Sequence, residues 1–86
     1  MTYRIEVLPA AVRELRKVHP EIRSRLRGAL AKLAEDPRPP GARALKHREG
    51  MLRVRVADYR IIYRVQDDVL TVLVVRVGHR SDVYRR

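Results

Sequence analysis

The sequence has no cysteine, tryptophan or phenylalanine, and its only aromatic residues are four tyrosines. Without cysteine, neither a disulfide nor a thiolate metal site is available, so stability must come from one small apolar core. That core must be filled by valine, leucine, isoleucine and alanine. The absence of cysteine also fits a reducing cell interior.

Long hydrophobic runs are also lacking. No segment approaches the ~18–20 apolar residues of a transmembrane helix, and the N-terminal residues from Met1 to Val7 hold no signal-peptide core. These features predict a soluble cytoplasmic protein with no membrane partner. A chain of 86 residues is shorter than the usual ~100–200 per domain, so we expect one domain over residues 1–86.

Positive charge is abundant: 20 lysines and arginines stand against 10 acidic residues, for a net charge of +10. The lysines are only Lys17, Lys32 and Lys46, and the other cations are all arginines. Guanidinium groups bind phosphate bidentately and do not deprotonate in proteins. The composition predicts a polyanionic partner and disfavours a lysine-based covalent enzyme, but it does not separate DNA, RNA and acidic protein.

The N-terminal half predicts a strand and two helices. Apolar and polar residues alternate from Thr2 to Val7, which indicates a half-buried strand. Apolar residues then recur every three or four positions from Pro9 to His19, as in an amphipathic helix. A second helix begins at Glu21 and ends at the proline-rich segment 36–41, which completes a helical hairpin.

The C-terminal half predicts three strands, Leu52–Val56, Tyr59–Val65 and Val69–Val77, after a loop over residues 37–50. Two short turns separate the strands, so we expect an antiparallel meander. The last strand is almost wholly apolar and is predicted to be central and covered on both faces. Residues 79–86 are predicted to form a polar tail.

The predicted fold is α+β in the order β-α-α-β-β-β, with the helical hairpin packed on one face of a small, mainly antiparallel four-stranded sheet. Alternation places Arg53 and Arg55 on one face of their strand, and Arg60 and Arg64 on one face of the next. Aligned side by side, they form a patch that binds phosphates. The alternative is an ordinary solvated face, although like charges this concentrated repel one another.

A second candidate site is the C-terminal cluster His79, Arg80 and Tyr84. Histidine transfers protons near neutral pH, arginine stabilises charge on phosphate, and tyrosine stacks on bases or supplies a phenolic proton. Glu49 is a possible base, although a loop glutamate is more often only solvated. His19, at the junction of the helices, is predicted to cap backbone groups.

Other kinds of site have little support. The histidines are far apart and no cysteine accompanies them, so we predict no metal and no cofactor. The glycines are isolated, which excludes a phosphate-cradling loop. The serines lack the context of a catalytic triad.

The predicted element order, the segment Asp58-Tyr59-Arg60-Ile61-Ile62-Tyr63 and the closing Val77-Gly78-His79-Arg80-Ser81-Asp82-Val83-Tyr84 together resemble the RelE/ParE toxin superfamily of toxin–antitoxin modules. The resemblance spans essentially the whole chain and is closer to the RelE branch. It implies a ribosome-dependent mRNA interferase, an endoribonuclease that cleaves mRNA in the A site by attack of the 2′-OH on the adjacent phosphate, without metal.

By matching position, the resemblance implies that Arg60 grips the scissile phosphate and Arg80 stabilises the transition state. Tyr84 would stack on or orient the substrate base. His79 resembles histidines that some relatives use as acid or base.

The resemblance also implies that Arg53 and Arg55 bind RNA, and we add Arg64 on the neighbouring strand. Some members have lysine at the first two positions. Because arginine does not serve as a base, we expect proton transfer from His79, with Tyr84 or Glu49 as its partner.

The implied partners are an acidic, amphipathic antitoxin, the ribosome and mRNA, with operator DNA bound only through the antitoxin. The antitoxin is expected to cover the arginines and the helical hairpin. Two other hypotheses remain open from the sequence: a ParE-like inhibitor of DNA gyrase without nuclease activity, and a non-catalytic basic RNA-binding module.

Overall fold

The computed structural model describes residues 2–79 of the chain. Helices and strands follow one another as β1 (Arg4–Val7), α1 (Pro9–Arg16), α2 (Pro20–Glu35), β2 (Arg43–Ala44), β3 (Met51–Val56), β4 (Tyr59–Gln66) and β5 (Thr71–His79), with a single 3₁₀ turn (Asp67–Val69) before β5. The predicted α+β fold is confirmed. The four-strand prediction missed β2, because a two-residue strand is too short to show alternation.

The strands form one sheet in the order β1-β5-β4-β3-β2. β1 pairs with β5 in parallel, and every other pairing is antiparallel. The chain that connects these two parallel strands runs through both helices and the other three strands. The predicted meander is confirmed, but β5 is not central: it lies between β1 and β4, and β4 is the middle strand.

The boundaries of β5 also differ from the prediction. Val69 belongs to the 3₁₀ turn and is 59% exposed, and Leu70 has a positive φ of 46°. The strand therefore starts at Thr71 and continues to His79, into the predicted tail.

The helices cover one face of the sheet and enclose the core with it. The largest fully buried side chains are Tyr63, Leu26, Leu33, Ile61, Val72, Val74 and Val77. The hydroxyl of Tyr63 donates a 2.7 Å hydrogen bond to the carbonyl of Pro37, which ties the segment after α2 to the middle strand. Burial raises the pKa of Tyr63 to about 12.

The junction between the helices is held by side chains that satisfy backbone groups. His19 is the N-cap of α2, and its Nδ1 accepts a 3.3 Å hydrogen bond from the backbone N–H of Glu21. Arg23 donates from Nη2 to the carbonyls of Val18 (2.9 Å) and Arg16 (3.2 Å). The predicted cap is confirmed, although α1 ends at Arg16, three residues earlier than expected.

An exposed ion pair joins three segments of the chain at one end of the sheet. The carboxylate of Asp67 accepts two hydrogen bonds from Arg38, at 2.7 and 3.3 Å, and one from the hydroxyl of Tyr3 at 2.6 Å. The hydrogen bond from Arg38 has the largest effect and that from Tyr3 the next largest, and they lower the pKa of Asp67 to about 2.

Among the described residues, neither helix is long and apolar enough to cross a membrane.

Candidate functional site

The register between β3 and β4 gathers the arginines on the side of the sheet away from the helices. Arg55 lies directly opposite Arg60, and Arg53 and Arg64 follow on the same two strands. Because directly opposite residues share a face, these side chains point to the same side. We call Arg53, Arg55, Arg60 and Arg64 the arginine face.

Arg60 is the least exposed member of the arginine face. It retains only 8% of its surface, and its Nε and Nη1 are buried with no acceptor among residues 2–79. Its partner on β5 is Gly78, which adds no side chain beside the guanidinium. Burying an unpaired cation costs several kcal/mol, so Arg60 is a site where a bound anion would restore missing interactions.

The arginine face has an apolar floor that sequence reasoning did not identify. Ile62 lies opposite Arg53 and Arg76, on the side away from the helices, yet it is only 3% exposed. Arginine carries a long aliphatic stem that covers apolar surface while its charged head stays in water. The charged groups therefore surround a dry patch, where electrostatic interactions are stronger than in open solvent.

Arg76 is a further arginine on this side of the sheet. Sequence reasoning did not single it out, because its strand is almost wholly apolar. A bulge in β5 leaves Val75 between the register pairs of Val74 and Arg76. The guanidinium binds the carboxylate of Glu14 through Nε at 3.1 Å and Nη2 at 2.7 Å. This carboxylate raises the pKa of Arg76, so the charge of Arg76 is already compensated.

Glu14 also completes the edge of the sheet. Its Oε1 accepts a 2.9 Å hydrogen bond from the backbone N–H of Val77. β1 pairs with β5 only as far as Val74, so the carboxylate takes the place of a neighbouring strand beyond that point. The sequence held no signal for this contact, because Glu14 and Arg76 are 62 residues apart.

The structure does not place Glu49 close to Arg60. It is exposed in the loop before β3, where its backbone carbonyl accepts a 3.5 Å hydrogen bond from Nη2 of Arg64. Arg64 is four residues along the strand from Arg60, about 13 Å away. The structure thus places Glu49 at the far end of the arginine face.

His79 lies on the other side of the sheet from Arg60. It pairs with Tyr59, and the two rings meet edge to face with centroids 5.7 Å apart. Tyr59 packs against the core, so the structure does not bring the imidazole of His79 to the arginine face. The physical reason is alternation, since residues 59 and 60 point to opposite faces. Arg80 and Tyr84 lie outside the described residues.

The arginine face provides electrostatic stabilisation, because guanidinium groups hold phosphate without giving up a proton. Within residues 2–79, no three His, Asp or Glu side chains lie close enough together to ligate one metal ion. Proton transfer at this face therefore needs a group from beyond its four arginines.

Similar proteins are toxins. Toxin RelG of Mycobacterium tuberculosis is 33% identical over 87 residues, which cover 100% of both chains. The mRNA interferase toxin RelE of Escherichia coli (strain K12) is 34% identical over 91 residues, covering 98% of this chain and 92% of that one.

A solved structure has the same fold, and a family match spans nearly the whole chain. The toxin–antitoxin complex RelBE2 from Mycobacterium tuberculosis contains a chain with a TM-score of 0.81 at 31% identity, covering 93% of this chain and 100% of that one. The family described as "ParE toxin of type II toxin-antitoxin system, parDE" matches residues 5–84. The chain is a RelE-like toxin of a type II toxin–antitoxin system and belongs to the ParE toxin family within the RelE/ParE toxin superfamily.

Proposed function

We propose that this toxin is an mRNA interferase, a ribosome-dependent endoribonuclease that cleaves mRNA in the A site without metal. The observation that carries the proposal is Arg60, a buried guanidinium with two donors unpaired among residues 2–79, directly opposite Arg55. An RNA phosphodiester supplies the anionic acceptors that both arginines need. The 34% identity to the mRNA interferase toxin RelE supports the same activity.

The proposed reaction is an internal transfer at phosphorus. The 2′-oxygen of the nucleotide before the cut forms a new bond to phosphorus, and the bond from phosphorus to the 5′-oxygen of the next nucleotide breaks. The proton of the 2′-OH goes to a base, and the leaving 5′-oxygen takes up a proton. The products are a 2′,3′-cyclic phosphate and a 5′-hydroxyl.

The arginine face would stabilise the negative charge that builds up in this reaction. We assign the scissile phosphate to Arg60, because its guanidinium has unpaired donors that an anion would satisfy once the groups covering them move aside. Arg53 and Arg55, about 7 Å apart along β3, and Arg64 would bind neighbouring phosphates. Arg55 and Arg64 are exposed and Arg53 is half-buried, which suits contacts with a mobile strand of RNA.

We assign proton transfer to the end of β5. His79 is exposed at the last position of this strand, next to Gly78, which pairs with Arg60. Since His79 points to the side of the sheet away from Arg60, its imidazole would reach the reacting 2′-OH only where the RNA bends over the end of the sheet beside Gly78. Arg80 and Tyr84 follow His79 in the sequence, and we propose that they stabilise the leaving group and orient the base.

The proposed partners are the ribosome, mRNA and a neutralising antitoxin, with operator DNA contacted only through that antitoxin. Several similar structures are complexes with an antitoxin, among them the intact Escherichia coli RelBE toxin–antitoxin complex. The net charge of +10 suits both RNA and an acidic polypeptide.

The test is in-vitro translation followed by primer extension on the ribosome-bound mRNA. We expect the wild type to cut in the A site, Arg60→Ala to lose at least 100-fold in rate, and Arg25→Ala to cut normally. Arg25 is a matched control, an exposed arginine on α2. Naked mRNA in a parallel reaction should stay intact. Uncut mRNA with folded wild-type protein would reject the proposal.

The match to the ParE toxin family favours one second candidate, inhibition of DNA gyrase without nuclease activity. A supercoiling assay separates the two functions. Inhibited supercoiling with intact mRNA would establish the second candidate, and cut mRNA with normal supercoiling would establish the first.

A further inference from the structure

A single carboxylate on the first helix holds two successive residues of β5. Glu14, on α1, accepts hydrogen bonds from the guanidinium of Arg76 at 2.7 Å and from the backbone N–H of Val77 at 2.9 Å. The side chains of Glu14 and Arg76 are only 25% and 24% exposed. Hydrogen bonds that involve a charged group are about twice as strong as those between neutral groups. Glu14 therefore fastens this part of β5 firmly to α1.

The end of β5 has little other support on this side. β1 pairs with β5 only as far as Val74, whose carbonyl accepts a 2.9 Å hydrogen bond from the backbone N–H of Leu8. β5 continues to His79, and among residues 2–79 its neighbour in the sheet beyond Val74 is β4 alone. Segments with few hydrogen bonds open most readily. The bond from Val77 to Glu14 therefore holds the strand where it would otherwise fray.

The next two residues of β5 are those on which the proposed reaction depends. Gly78 pairs with Arg60, and His79 carries the imidazole to which we assign proton transfer. A displacement of about 1 Å at a reacting group can lower a rate about 100-fold. Fraying at Val77 would move this imidazole relative to a phosphate bound by Arg60.

The carboxylate of Glu14 acts through the strand and not on the RNA. Both of its oxygens accept hydrogen bonds from Arg76, and Oε1 also accepts from Val77. It lies at the edge of β5 beyond the end of β1, whereas Arg60 belongs to β4, on the opposite edge of β5. Glu14 is therefore placed to orient the reacting groups without touching them.

We propose that Glu14 is a positioning residue for RNA cleavage, because its bond to Val77 keeps the end of β5, and with it the imidazole of His79, in place. This inference rests on the function proposed above, since it concerns the same reaction. The ion pair with Arg76 aims the carboxylate at the strand. Loss of Glu14 slows the chemical step and leaves RNA binding by the arginine face intact.

The test uses variants that separate the strand end from the ion pair and from net charge. Glu14→Ala removes both the ion pair and the acceptor for Val77. Arg76→Met breaks the same ion pair but keeps the carboxylate. Glu35→Ala is the matched control for charge, because it removes one negative charge from an exposed position at the end of α2. Thermal unfolding identifies a temperature at which the variants are folded, and the assays are run there.

The first measurement is the rate of A-site cleavage as a function of toxin concentration. We expect Glu14→Ala to lower the maximal rate about tenfold or more without raising the half-saturating concentration, and Arg76→Met and Glu35→Ala to stay within about threefold of wild type. Glu14→Gln keeps an uncharged acceptor for Val77, so its rate should lie between those of Glu14→Ala and Arg76→Met. This variant carries the test if Glu14→Ala does not fold. Equal losses in the Glu14 variants and Arg76→Met would overturn the inference.

The second measurement does not depend on cleavage. Amide hydrogen exchange followed by NMR should be faster at Val77 and Gly78 in Glu14→Ala than in wild type, and unchanged at Val72, earlier in β5. Unchanged exchange at the end of β5 would overturn the inference even if the wild type cuts mRNA. Faster exchange in a toxin whose wild type leaves mRNA uncut would instead reject the proposed function, and with it any role of Glu14 in cleavage.

Discussion

Arg55 and Arg60 face each other directly across the β3–β4 hairpin, and only Arg55 is exposed. Like charges in this position repel one another, and the buried member has two donors without an acceptor among residues 2–79. An apolar residue at position 60 would therefore give a more stable folded state. This arrangement is expected where binding matters more than stability.

Arg60→Met is predicted to stabilise the protein and to abolish RNA binding. Replacing a buried charge by an apolar side chain of similar length is neutral or stabilising by about 1–4 kcal/mol. Urea unfolding measures the free energy, and fluorescence anisotropy with a short RNA measures binding. Arg55→Met is the control and should change stability by less than about 0.5 kcal/mol, because Arg55 is exposed. A destabilised Arg60→Met would show that the guanidinium holds the fold together.

Asp67 is predicted to make stability depend on pH below 4. The hydrogen bonds from Arg38 and Tyr3 lower its pKa from the ordinary 3.8 to about 2 in the folded state. Because the pKa of Asp67 is lower in the folded state, the stabilisation from its ionised carboxylate is complete above the pKa that it has in the unfolded chain. That stabilisation is lost as pH falls from about 4 to about 2. Melting temperatures of the wild type should therefore exceed those of Asp67→Asn at pH 5 and converge with them near pH 2. Asp68→Asn, the same change one residue on, should not reproduce this convergence.

Tyr63→Phe is predicted to destabilise the protein by about 1–3 kcal/mol, since it leaves the carbonyl of Pro37 without its hydrogen bond in a buried position. Chemical denaturation measures the loss. Tyr3→Phe removes a hydroxyl that donates to the exposed carboxylate of Asp67, and it should cost less. Equal losses in the two variants would contradict the importance that we give to burial.

The parts of the fold that local pattern determines could be predicted from the sequence. Alternation in the first two strands of the meander, and a nearly continuous apolar run in the third, located all three to within two residues at each end. The prolines marked where α2 begins and ends. The same alternation placed Arg53 and Arg55 on one face. Their alignment with Arg60 depends on the two-residue turn at Ala57 and Asp58, which sets the register that the structure shows.

Other features depend on contacts between distant residues. The bulge at Val75, the carboxylate of Glu14 at the sheet edge and the buried floor at Ile62 all require the packed structure. The placement of His79 also required the structure, because the register that pairs it with Tyr59 puts it on the face opposite Arg60. Grouping His79 with its sequence neighbours gave more weight to proximity along the chain than to the direction of the side chains.

Ala57→Gly is predicted to stabilise the β3–β4 turn by about 0.5–1 kcal/mol. Ala57 has a φ of 54°, a left-handed conformation that costs about 1–2 kcal/mol for residues with a Cβ. Glycine removes this cost, although part of the gain is lost to its greater freedom in the unfolded chain.

The measurement for this turn is again the unfolding midpoint in urea. Asp58→Gly is the comparison, because it adds the same flexibility to the unfolded chain without relieving the strain at residue 57, and it should not stabilise. The turn follows Arg55 and precedes Arg60, so a more stable turn should keep both arginines in register and leave RNA cleavage unchanged. A less stable Ala57→Gly would mean that the cost in the unfolded state exceeds the strain at Ala57.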